Sequence, residues 1–284
     1  MKNKMLAIGL AAALAVGALA GCGSTPQSSS AQSELKNGLP EKYASGFTVP
    51  VINYPPYSIV DESGKVSGFD YDFAKAISDY FGVEFETKNA TFEESLLGVS
   101  RGAYSWAPAA SVTSKRMETY DFVSYFDDAY RLVVKDTAAE IPADPSALCG
   151  LSIAEVNGGY TLKYLQDFSK QCTDAGKPPV EIMTFPDQGA IQLAVKSDRV
   201  DAAALTIANG SYAAKKGGGL KITGPKFAVT TEGFTLKKGS DLAEPLEKAM
   251  NALIADGTYA EILKRYGLED GAIEKAEVNP DTGE

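Results

Sequence analysis

The stretch that decides the fold is "GFDYDFAKAISDYFGVEFETK", residues 68–88. It follows the apolar, β-branched segment "FTVPVINYPPYSIV", which predicts a strand that stops at Pro55-Pro56, because proline cannot donate to a strand ladder. Within residues 68–88, apolar side chains recur at helical spacing up to a stop at Gly82, and a second strand, "VEFETK", comes next. Strand, helix and strand at this spacing predict a unit of an α/β sheet.

The same pattern recurs further along the chain. A strand "LSIAEV" precedes "GGYTLKYLQDFSKQC", and "AIQLAVKSDR" precedes "VDAAALT". Near the end, "DLAEPLEKAMNALIADGTYAEILKRYG" predicts two amphipathic helices that break at Asp256-Gly257. Two α/β units predict two lobes with a cleft between them, and the loops after the strands are where a ligand would bind.

The N-terminal segment, "MKNKMLAIGLAAALAVGALAGCGS", has two lysines, then an uncharged apolar run, then small residues. This layout is typical of an export signal, and we expect residues 1–21 to be a signal peptide. The "LAGC" that ends at Cys22 resembles the bacterial lipobox, in which the cysteine is acylated; the alternative is an ordinary signal peptide with a stray cysteine. Residues 22–45 are rich in Ser, Gln, Gly and Pro and predict a flexible tether.

Charge and composition exclude several classes of function. The formal net charge is −10, and it becomes −12 when Lys2 and Lys4 leave with the signal. An acidic body without clustered cations argues against a nucleic-acid partner. The chain has no histidine, which removes imidazole acid–base chemistry, the Ser-His-Asp template and histidine metal sites. We therefore expect no metal, no cofactor and no catalytic residue.

Two cysteines remain once Cys22 is assigned to lipid. In an exported protein, where disulfides persist, Cys149 and Cys172 are predicted to form a bridge. Two free buried thiols are the alternative, and the spacing does not decide between them.

The motifs taken together resemble a known family. "PPY", "GFDYDFAKAISDYFG", "SVTSKR", "VDAAAL" and "DGTYAEILKRYG" occur in the order found in the family 3 extracellular solute-binding proteins, the polar amino-acid receptors of ABC importers. The resemblance implies an α/β fold of the periplasmic-binding-protein type II, with two α/β lobes joined by two hinge strands. It places lobe 1 at residues 46–133 plus 227–284 and lobe 2, with the hinge segments, at 134–226. We expect the lobes to rotate near Val134 and Ala228.

The resemblance also implies an anion site in "SVTSKR". Carried over residue by residue, Arg116 clamps the ligand's α-carboxylate, Ser111 supplies a hydroxyl and Ala109 supplies backbone contacts. A planar guanidinium against a carboxylate is a strong, directional pair. The alternative is that Arg116 is an exposed arginine in a surface salt bridge.

Four further residues match positions that surround the ligand in the family. Tyr54 and Phe92 match its aromatic walls, although aromatic side chains more often fill a core. Gly159 and Tyr160 match a turn that offers amides at a helix N-terminus, although a glycine pair could form a plain turn. Thr206 stands where the family carries the aspartate that binds the α-ammonium.

The departure at Thr206 leaves the solute open. An α-amino acid or a related carboxylate is expected, and the ammonium partner could be any of Asp127, Asp128, Glu155, Asp187 and Glu232. The sequence also leaves open whether Trp106 faces the cleft or the core.

The resemblance implies a receptor, and we expect no enzyme. It would be a monomer, lipid-anchored to the outer face of the cell membrane, that delivers its solute to an ABC transporter permease by hinge closure. The alternative is an enzyme on the same fold, such as a cyclohexadienyl-dehydratase-like lyase, which would need an acid–base group with a shifted pKa in the cleft.

Overall fold

A computed structural model describes residues 38–142, 144–216 and 218–282. The predicted signal peptide, Cys22 and residues 22–37 of the predicted tether lie outside these residues. The rest of the predicted tether belongs to the folded part. Leu39 is 3% exposed in the core of lobe 1, and Glu41–Tyr43 form a 3₁₀ helix. Because an apolar side chain is buried here, the folded part begins before the predicted boundary at residue 46.

The described residues form helices and strands that alternate along most of the chain. The helices are α1 (Phe69–Phe81), α2 (Phe92–Arg101), α3 (Ser114–Met117), α4 (Leu162–Asp174), α5 (Gln188–Lys196), α6 (Ile207–Lys216), α7 (Ala243–Ala255) and α8 (Thr258–Tyr266). The strands are β1 (Phe47–Val51), β2 (Ile59–Val60), β3 (Val66–Ser67), β4 (Phe85–Asn89), β5 (Ala107–Ser111), β6 (Tyr120–Lys135), β7 (Ser152–Val156), β8 (Glu181–Phe185), β9 (Ala202–Thr206) and β10 (Leu220–Lys237).

The predicted strand–helix–strand unit is confirmed. Strands β1 and β4 pair in parallel, and α1 connects them after the short hairpin of β2 and β3. Helix α1 ends where Gly82 adopts a left-handed conformation (φ 70°), which glycine accepts without steric cost. The predicted break at Asp256-Gly257 also separates α7 from α8.

Two long strands run through both lobes. The six-stranded sheet has the order β5-β10-β6-β9-β7-β8, in which β6 (16 residues) and β10 (18 residues) pair antiparallel along their length. Strand β5 extends this pair in lobe 1, and β9, β7 and β8 extend it in lobe 2. The fold is therefore the expected type II arrangement of two α/β lobes on two shared strands.

The pairing of the two long strands is irregular between Glu232 and Gly233 in lobe 1 and, over a longer stretch, around Ala228. Their register shifts between Thr223 and Phe227 and again between Phe227 and Val229, and Ala228 has a positive φ of 49°. The expected rotation near Ala228 coincides with this irregularity. Val134, in contrast, pairs regularly with Lys221 inside lobe 2 and is buried there.

Lobe 1 has an aromatic core. Phe69, Phe73 and Tyr125 contact one another through their rings, and Tyr125 stacks on Phe234 with ring centroids 4.1 Å apart. Trp106 is fully buried in this core against Phe234, so it does not face the cleft.

Lobe 2 has smaller side chains in its core and a disulfide. Clusters on the two faces of its sheet consist mainly of Ala, Val, Ile and Leu. Cys149 and Cys172 are joined by a disulfide with their Cα atoms 5.5 Å apart, which ties α4 to the 3₁₀ helix Pro145–Leu148.

Candidate ligand-binding site

A cavity lies between the two lobes, beside β6. Lobe 1 contributes Ile52, Tyr54, Phe92, Ala109, Ser111 and Arg116 to its wall, β6 contributes Tyr130, and lobe 2 contributes Glu155, Val156, Gly159, Tyr160, Pro186, Asp187 and Gln188. Seven of the eight ligand-binding residues expected from the sequence are therefore brought together. The eighth, Thr206, lies behind Tyr54 and not on the wall.

Arg116 reaches across this cavity. It belongs to the short helix α3, where its backbone N–H donates to the capping side chain of Thr113 (3.0 Å). Its guanidinium donates to the carbonyl of Ser111 in lobe 1 (2.8 Å) and to the carbonyl of Gly158 in lobe 2 (3.1 Å). The group also lies over the ring of Phe92, 5.3 Å from the centroid. Arg116 is thus a half-buried cation inside the cleft and has no salt bridge within the part of the chain that the structure describes.

The loop that carries Ala109 is held from below. Ala109 has a positive φ of 57°, which is uncommon for a residue with a Cβ. Its N–H donates to the hydroxyl of Tyr125 (3.0 Å), and that hydroxyl donates to Asp70 (2.9 Å). Since Tyr125 takes the N–H of Ala109, the carbonyl is the backbone group that this residue can offer to a ligand. Burial raises the pKa of Asp70 to about 7.

Tyr54 and Phe92 form the aromatic part of the wall in lobe 1. Tyr54 stacks on Tyr57 with centroids 4.8 Å apart and an interplanar angle of 5°. Its hydroxyl donates to Thr206 Oγ1 in lobe 2 at 3.1 Å, so this pair links the lobes. Phe92 opens α2, whose first turn is fixed by a capping box between Thr91 and Glu94.

The wall in lobe 2 is a turn built around a buried carboxyl group. Glu155 is 2% exposed, and its oxygens accept from the N–H of Val156 (2.7 Å) and from the hydroxyl of Thr161. Burial raises the pKa of Glu155 to about 8. Gly159 passes so close that a Cβ there would lie 2.4 Å from Glu155 Oε1. Next to it, the ring of Tyr160 lies 5.7 Å from that of Tyr130.

A second buried carboxyl group lies under the wall on the side of lobe 1. Glu232 on β10 is directly opposite Ser111 on β5, and Ser111 Oγ donates to Glu232 Oε1 at 3.0 Å. Burial is the main cause that raises the pKa of Glu232 to about 8, and the charge of Asp128 adds to it.

The five acids left open by the sequence occupy different places. Glu155 and Asp187 line the cavity, and Asp187 also caps α5 by accepting from Ala190 N (2.8 Å). Glu232 lies behind Ser111. Asp127 is exposed and accepts from Thr231, while Asp128 accepts from the hydroxyl of Tyr57 (2.7 Å).

Sequence reasoning missed several residues on the wall. Ile52 directly follows β1, and Tyr130 lies on β6; how these strands pair with their neighbours decides which side chains face the cavity. Pro186 and Gln188 are the neighbours of Asp187, the residue that caps α5. The signal that could have found the last two is Asp187, since an Asp followed by a helix after a strand is an N-cap pattern at a strand's carboxyl end.

The described part of the chain has neither a metal-binding cluster nor a helix that could cross a membrane. In residues 38–142, 144–216 and 218–282, no group of three or more His, Cys, Asp or Glu side chains is placed to hold a metal ion. Over the same part of the chain, no helix combines the length and the apolar character needed to span a membrane.

Comparison with known proteins identifies the family. Residues 49–269 match the bacterial extracellular solute-binding proteins, family 3, and the chain belongs to this family. Its fold is that of the type II periplasmic binding proteins.

Individual relatives agree with this family. The chain is 27% identical over 231 residues to the arginine-binding protein ArgT of Corynebacterium glutamicum, covering 80% of this chain and 75% of the relative. It is 26% identical to the glutamine-binding protein GlnH of Bacillus subtilis, covering 74% and 76%. Among solved structures, an ancestral arginine-binding protein bound to arginine superposes with a TM-score of 0.69 at 29% identity, covering 77% of this chain and 96% of that one.

Proposed function

We propose that this protein is an extracytoplasmic receptor that encloses an α-amino acid between its lobes and delivers it to an ABC importer. The observation that carries the proposal is the position of Arg116. Its guanidinium contacts a carbonyl from each lobe and lies over Phe92 inside the cavity. A cation held in this way can exchange its carbonyl contacts for a bidentate pair with a carboxylate. The two charge-assisted hydrogen bonds of such a pair are stronger than hydrogen bonds to carbonyl groups.

The neighbouring groups complete the proposed site. The hydroxyl of Ser111 and the carbonyl of Ala109 lie on the same wall as Arg116, and Tyr54 and Phe92 cover the ligand's apolar parts. From lobe 2, Gly159 and Tyr160 close the other side of the cavity. Thr206 acts on closure through its bond with Tyr54 and does not contact the ligand.

Closure in this proposal is a rotation of the lobes about β6 and β10. Contacts such as that from Arg116 to Gly158 exist only when the lobes are together. A ligand that touches both walls stabilises the closed form by the difference between its affinities for the two forms. The closed receptor is the form that the permease would recognise.

In this proposal the protein is a monomer. Lipid on Cys22 anchors it to the outer face of the cell membrane. The support is the "LAGC" motif in the sequence, which lies outside the described residues. Lipoprotein maturation adds more than one acyl chain, as stable anchoring requires. Replacing Cys22 with Ser should release the protein or leave it unprocessed, and membrane attachment unchanged by Cys22→Ser would contradict the anchor.

The central test is a thermal-shift screen of the purified full-length protein against the common L-amino acids. A ligand that binds only the folded state raises the melting temperature by mass action. We expect at least one amino acid to give a saturable shift, and a protein that responds to none of them would contradict the proposed function.

A matched pair of arginine variants locates the binding site. Arg116→Ala leaves a buried carboxylate without its partner and should weaken binding by about 3–5 kcal/mol, which is roughly two to almost four decades in affinity. Arg199→Ala is the control, because Arg199 also lies over an aromatic ring, that of Phe185 (5.1 Å), but away from the cavity wall. Calorimetry should show no change for the control. Arg116→Ala binding within threefold of the wild type would refute the assignment.

One observation favours the enzyme as a second candidate. Glu155 is an acid–base group with a raised pKa on the cavity wall, which is what a cyclohexadienyl-dehydratase-like lyase would need. A turnover assay with a cyclohexadienyl carboxylate decides between the two candidates. The receptor should release no product, and turnover that disappears in Glu155→Gln would establish the enzyme.

A further inference from the structure

The site described above has a cation for a carboxylate but has Thr206 where the family has an aspartate for the ammonium group. The structure shows that Thr206 does not take over this role. Its Oγ1 accepts from the hydroxyl of Tyr54 (3.1 Å) and from the N–H of Asn209 (3.2 Å). A hydroxyl with two donors already bound is a poor acceptor for a third, so a ligand ammonium needs another partner.

Two other acids near the cavity, Glu155 and Asp128, have both oxygens engaged. Those of Glu155 accept from Val156 N and the Thr161 hydroxyl. Those of Asp128 accept from the Tyr57 hydroxyl and from the N–H of Ala129.

Glu232 differs from both. Its Oε1 accepts from Ser111, but its Oε2 is buried and has no hydrogen-bond partner among residues 38–142, 144–216 and 218–282. A buried polar atom left without a partner costs free energy in the ligand-free protein, and a donor brought by a ligand would recover it.

The strand register places Glu232 on the side of the cavity. Residues directly opposite each other in an antiparallel pair project from the same face of the sheet, and Glu232 is opposite Ser111. Ser111 is on the cavity wall, and its hydroxyl is bonded to the Glu232 carboxyl. The carboxyl group is therefore one hydrogen bond from the place where the carboxylate end of an α-amino acid would lie beside Arg116. In an α-amino acid, the ammonium nitrogen is only two bonds from the carboxylate carbon. A ligand whose carboxylate lies beside Arg116 therefore has its ammonium close by.

We propose that Glu232 accepts the α-ammonium of the ligand, in place of the carboxylate that is missing at position 206. This assignment rests on the proposed function, since it requires an α-amino acid as the ligand. It makes Glu232 a specificity-determining residue that distinguishes α-amino acids from the corresponding carboxylic acids without an amino group.

The assignment has a consequence for protons. The charged and titratable groups that face Glu232 are Asp128, Tyr125 and Tyr130 on β6, Asp70 on α1, Arg116 on α3, and Tyr54 and Tyr57 on the loop after β1. Because the pKa of Glu232 is raised to about 8, its carboxyl is mostly protonated in the ligand-free protein at neutral pH. An ammonium favours the ionised form, so the carboxyl proton leaves to solvent as the ion pair forms. Affinity should therefore rise with pH up to about pH 8 and then level off.

The test is calorimetry at about pH 8, close to the pKa of Glu232, with two pairs of probes. L-arginine and L-glutamine are paired with 5-guanidinopentanoate and 4-carbamoylbutanoate, which keep the carboxylate and the side chain but lack the α-ammonium. Glu232→Gln should lower the affinity for whichever amino acid binds by about thirtyfold or more, since it removes one charge of a buried pair. It should leave the affinity for the matching acid within threefold, which also shows that the variant is folded.

Proton release gives an independent readout. Titration in buffers of different ionisation enthalpy should show up to about one proton released per amino acid bound near neutral pH, and Glu232→Gln should abolish the release. Glu155→Gln tests the competing assignment, because Glu155 has a similarly raised pKa and lies on the cavity wall, but both of its oxygens are engaged. Release that persists in Glu232→Gln and disappears in Glu155→Gln would assign the ammonium to Glu155 and overturn the proposal.

The outcomes separate this inference from the function on which it rests. If the wild type binds an amino acid and Glu232→Gln binds it with the same affinity, the role of Glu232 is overturned. The proposed receptor function still stands in that case. A wild-type protein that binds neither probe amino acid, nor any other L-amino acid in the thermal-shift screen, overturns the proposed function and this inference with it.

Discussion

Lobe 1 and lobe 2 build their halves of the cavity from different material. Lobe 1 buries an aromatic cluster in which Trp106 and Tyr125 each contact Phe234, and a network from Asp70 through Tyr125 fixes the backbone of Ala109. Lobe 2 buries mainly small aliphatic side chains, and a disulfide ties its helix α4 to the 3₁₀ helix Pro145–Leu148. Aromatic rings bury far more area per residue than alanine or valine, so each core residue of lobe 1 contributes more to stability than most of those in lobe 2.

The two walls of the cavity differ in how their residues are held. In lobe 1, Arg116 and Ser111 are held by hydrogen bonds, so these two side chains have fixed places. In lobe 2, the wall is a glycine turn that depends on the buried Glu155 beneath it. In the function proposed above, lobe 1 holds the ligand's charged end and lobe 2 closes over it.

The largest expected effect concerns the pH dependence of stability, because both lobes bury acids with raised pKa values. Those values are about 7 for Asp70 and about 8 for Glu232 in lobe 1, and about 8 for Glu155 in lobe 2. A folded-state pKa above the unfolded one means that the folded protein holds more protons. Its stability is therefore fully present below about pH 4 and is lost as the pH rises through 7 to 8.

The ligand-free protein should lose on the order of several kcal/mol of unfolding free energy between about pH 5 and about pH 9. Urea denaturation across this range measures the loss. Glu155→Gln and Glu232→Gln should each flatten the dependence, and the two variants together show how much each lobe contributes. A free energy of unfolding that rises over the same range would show that these acids are ionised in the folded state.

The next largest effect should come from the cross-link in lobe 2. The disulfide spans a sequence separation of 23 residues. In the chain-entropy description, closing a loop of that size stabilises the folded state by about 3 kcal/mol. The double variant Cys149→Ser/Cys172→Ser should lose about that amount in urea denaturation.

Hydrogen exchange would show where the stability is lost. Amides in α4 and β7 of lobe 2 should exchange faster in the double variant, while the fluorescence of the single tryptophan, Trp106, should report an unchanged lobe 1 at low urea. Equal acceleration in α1 of lobe 1 would mean that the lobes do not differ in the way we describe.

Much of the fold and part of the candidate site can be predicted from the sequence. The helical spacing of apolar residues and the stop at Gly82 predict α1, and the Asp256-Gly257 break predicts α7 and α8, because these signals are local. The juxtaposition of Arg116, Ser111, Tyr54 and Phe92 follows from the family resemblance and is found around one cavity.

Other features depend on pairings that a sequence does not display. Register shifts where β10 pairs with β5 and β6 set the positions of Tyr125 and Glu232, and so decide which side chains lie near Ser111 and Ala109. Burial also depends on distant parts of the chain: Trp106 is in the core of lobe 1, and so is Leu39, an apolar residue in a polar segment.

A smaller effect is expected from Gly159→Ala. The added Cβ would lie 2.4 Å from the carboxyl of Glu155, which is buried and held by two hydrogen bonds, so it cannot move freely. We expect a loss of roughly 2 kcal/mol in stability, as for other overpacked sites. Gly189→Ala is the control in the same lobe, because its Cβ would meet only the exposed Asp187 carboxylate at 3.2 Å. Thermal denaturation should separate the two variants, and equal melting temperatures would mean that the turn yields easily.

The smallest effect should come from the hydroxyl that joins the lobes. Tyr54→Phe removes the bond to Thr206 but keeps the ring stacked on Tyr57. A hydrogen bond of this kind contributes about 1 kcal/mol, which corresponds to roughly a fivefold change in affinity. Thr206 keeps its donor Asn209, so the substitution leaves no buried hydroxyl without a partner.

The size of this effect matters less than where it falls. A bond that exists only in the closed form changes the closed–open equilibrium and therefore ligand affinity, while the stability of each lobe stays the same. Tyr259→Phe is the opposite case, because its hydroxyl donates to the carbonyl of Tyr125 (2.9 Å) inside lobe 1. It should lower the melting temperature and leave affinity nearly unchanged. If Tyr54→Phe lowers stability as Tyr259→Phe does and leaves affinity alone, Tyr54 belongs to the packing of lobe 1, and the contact with Thr206 does not take part in closure.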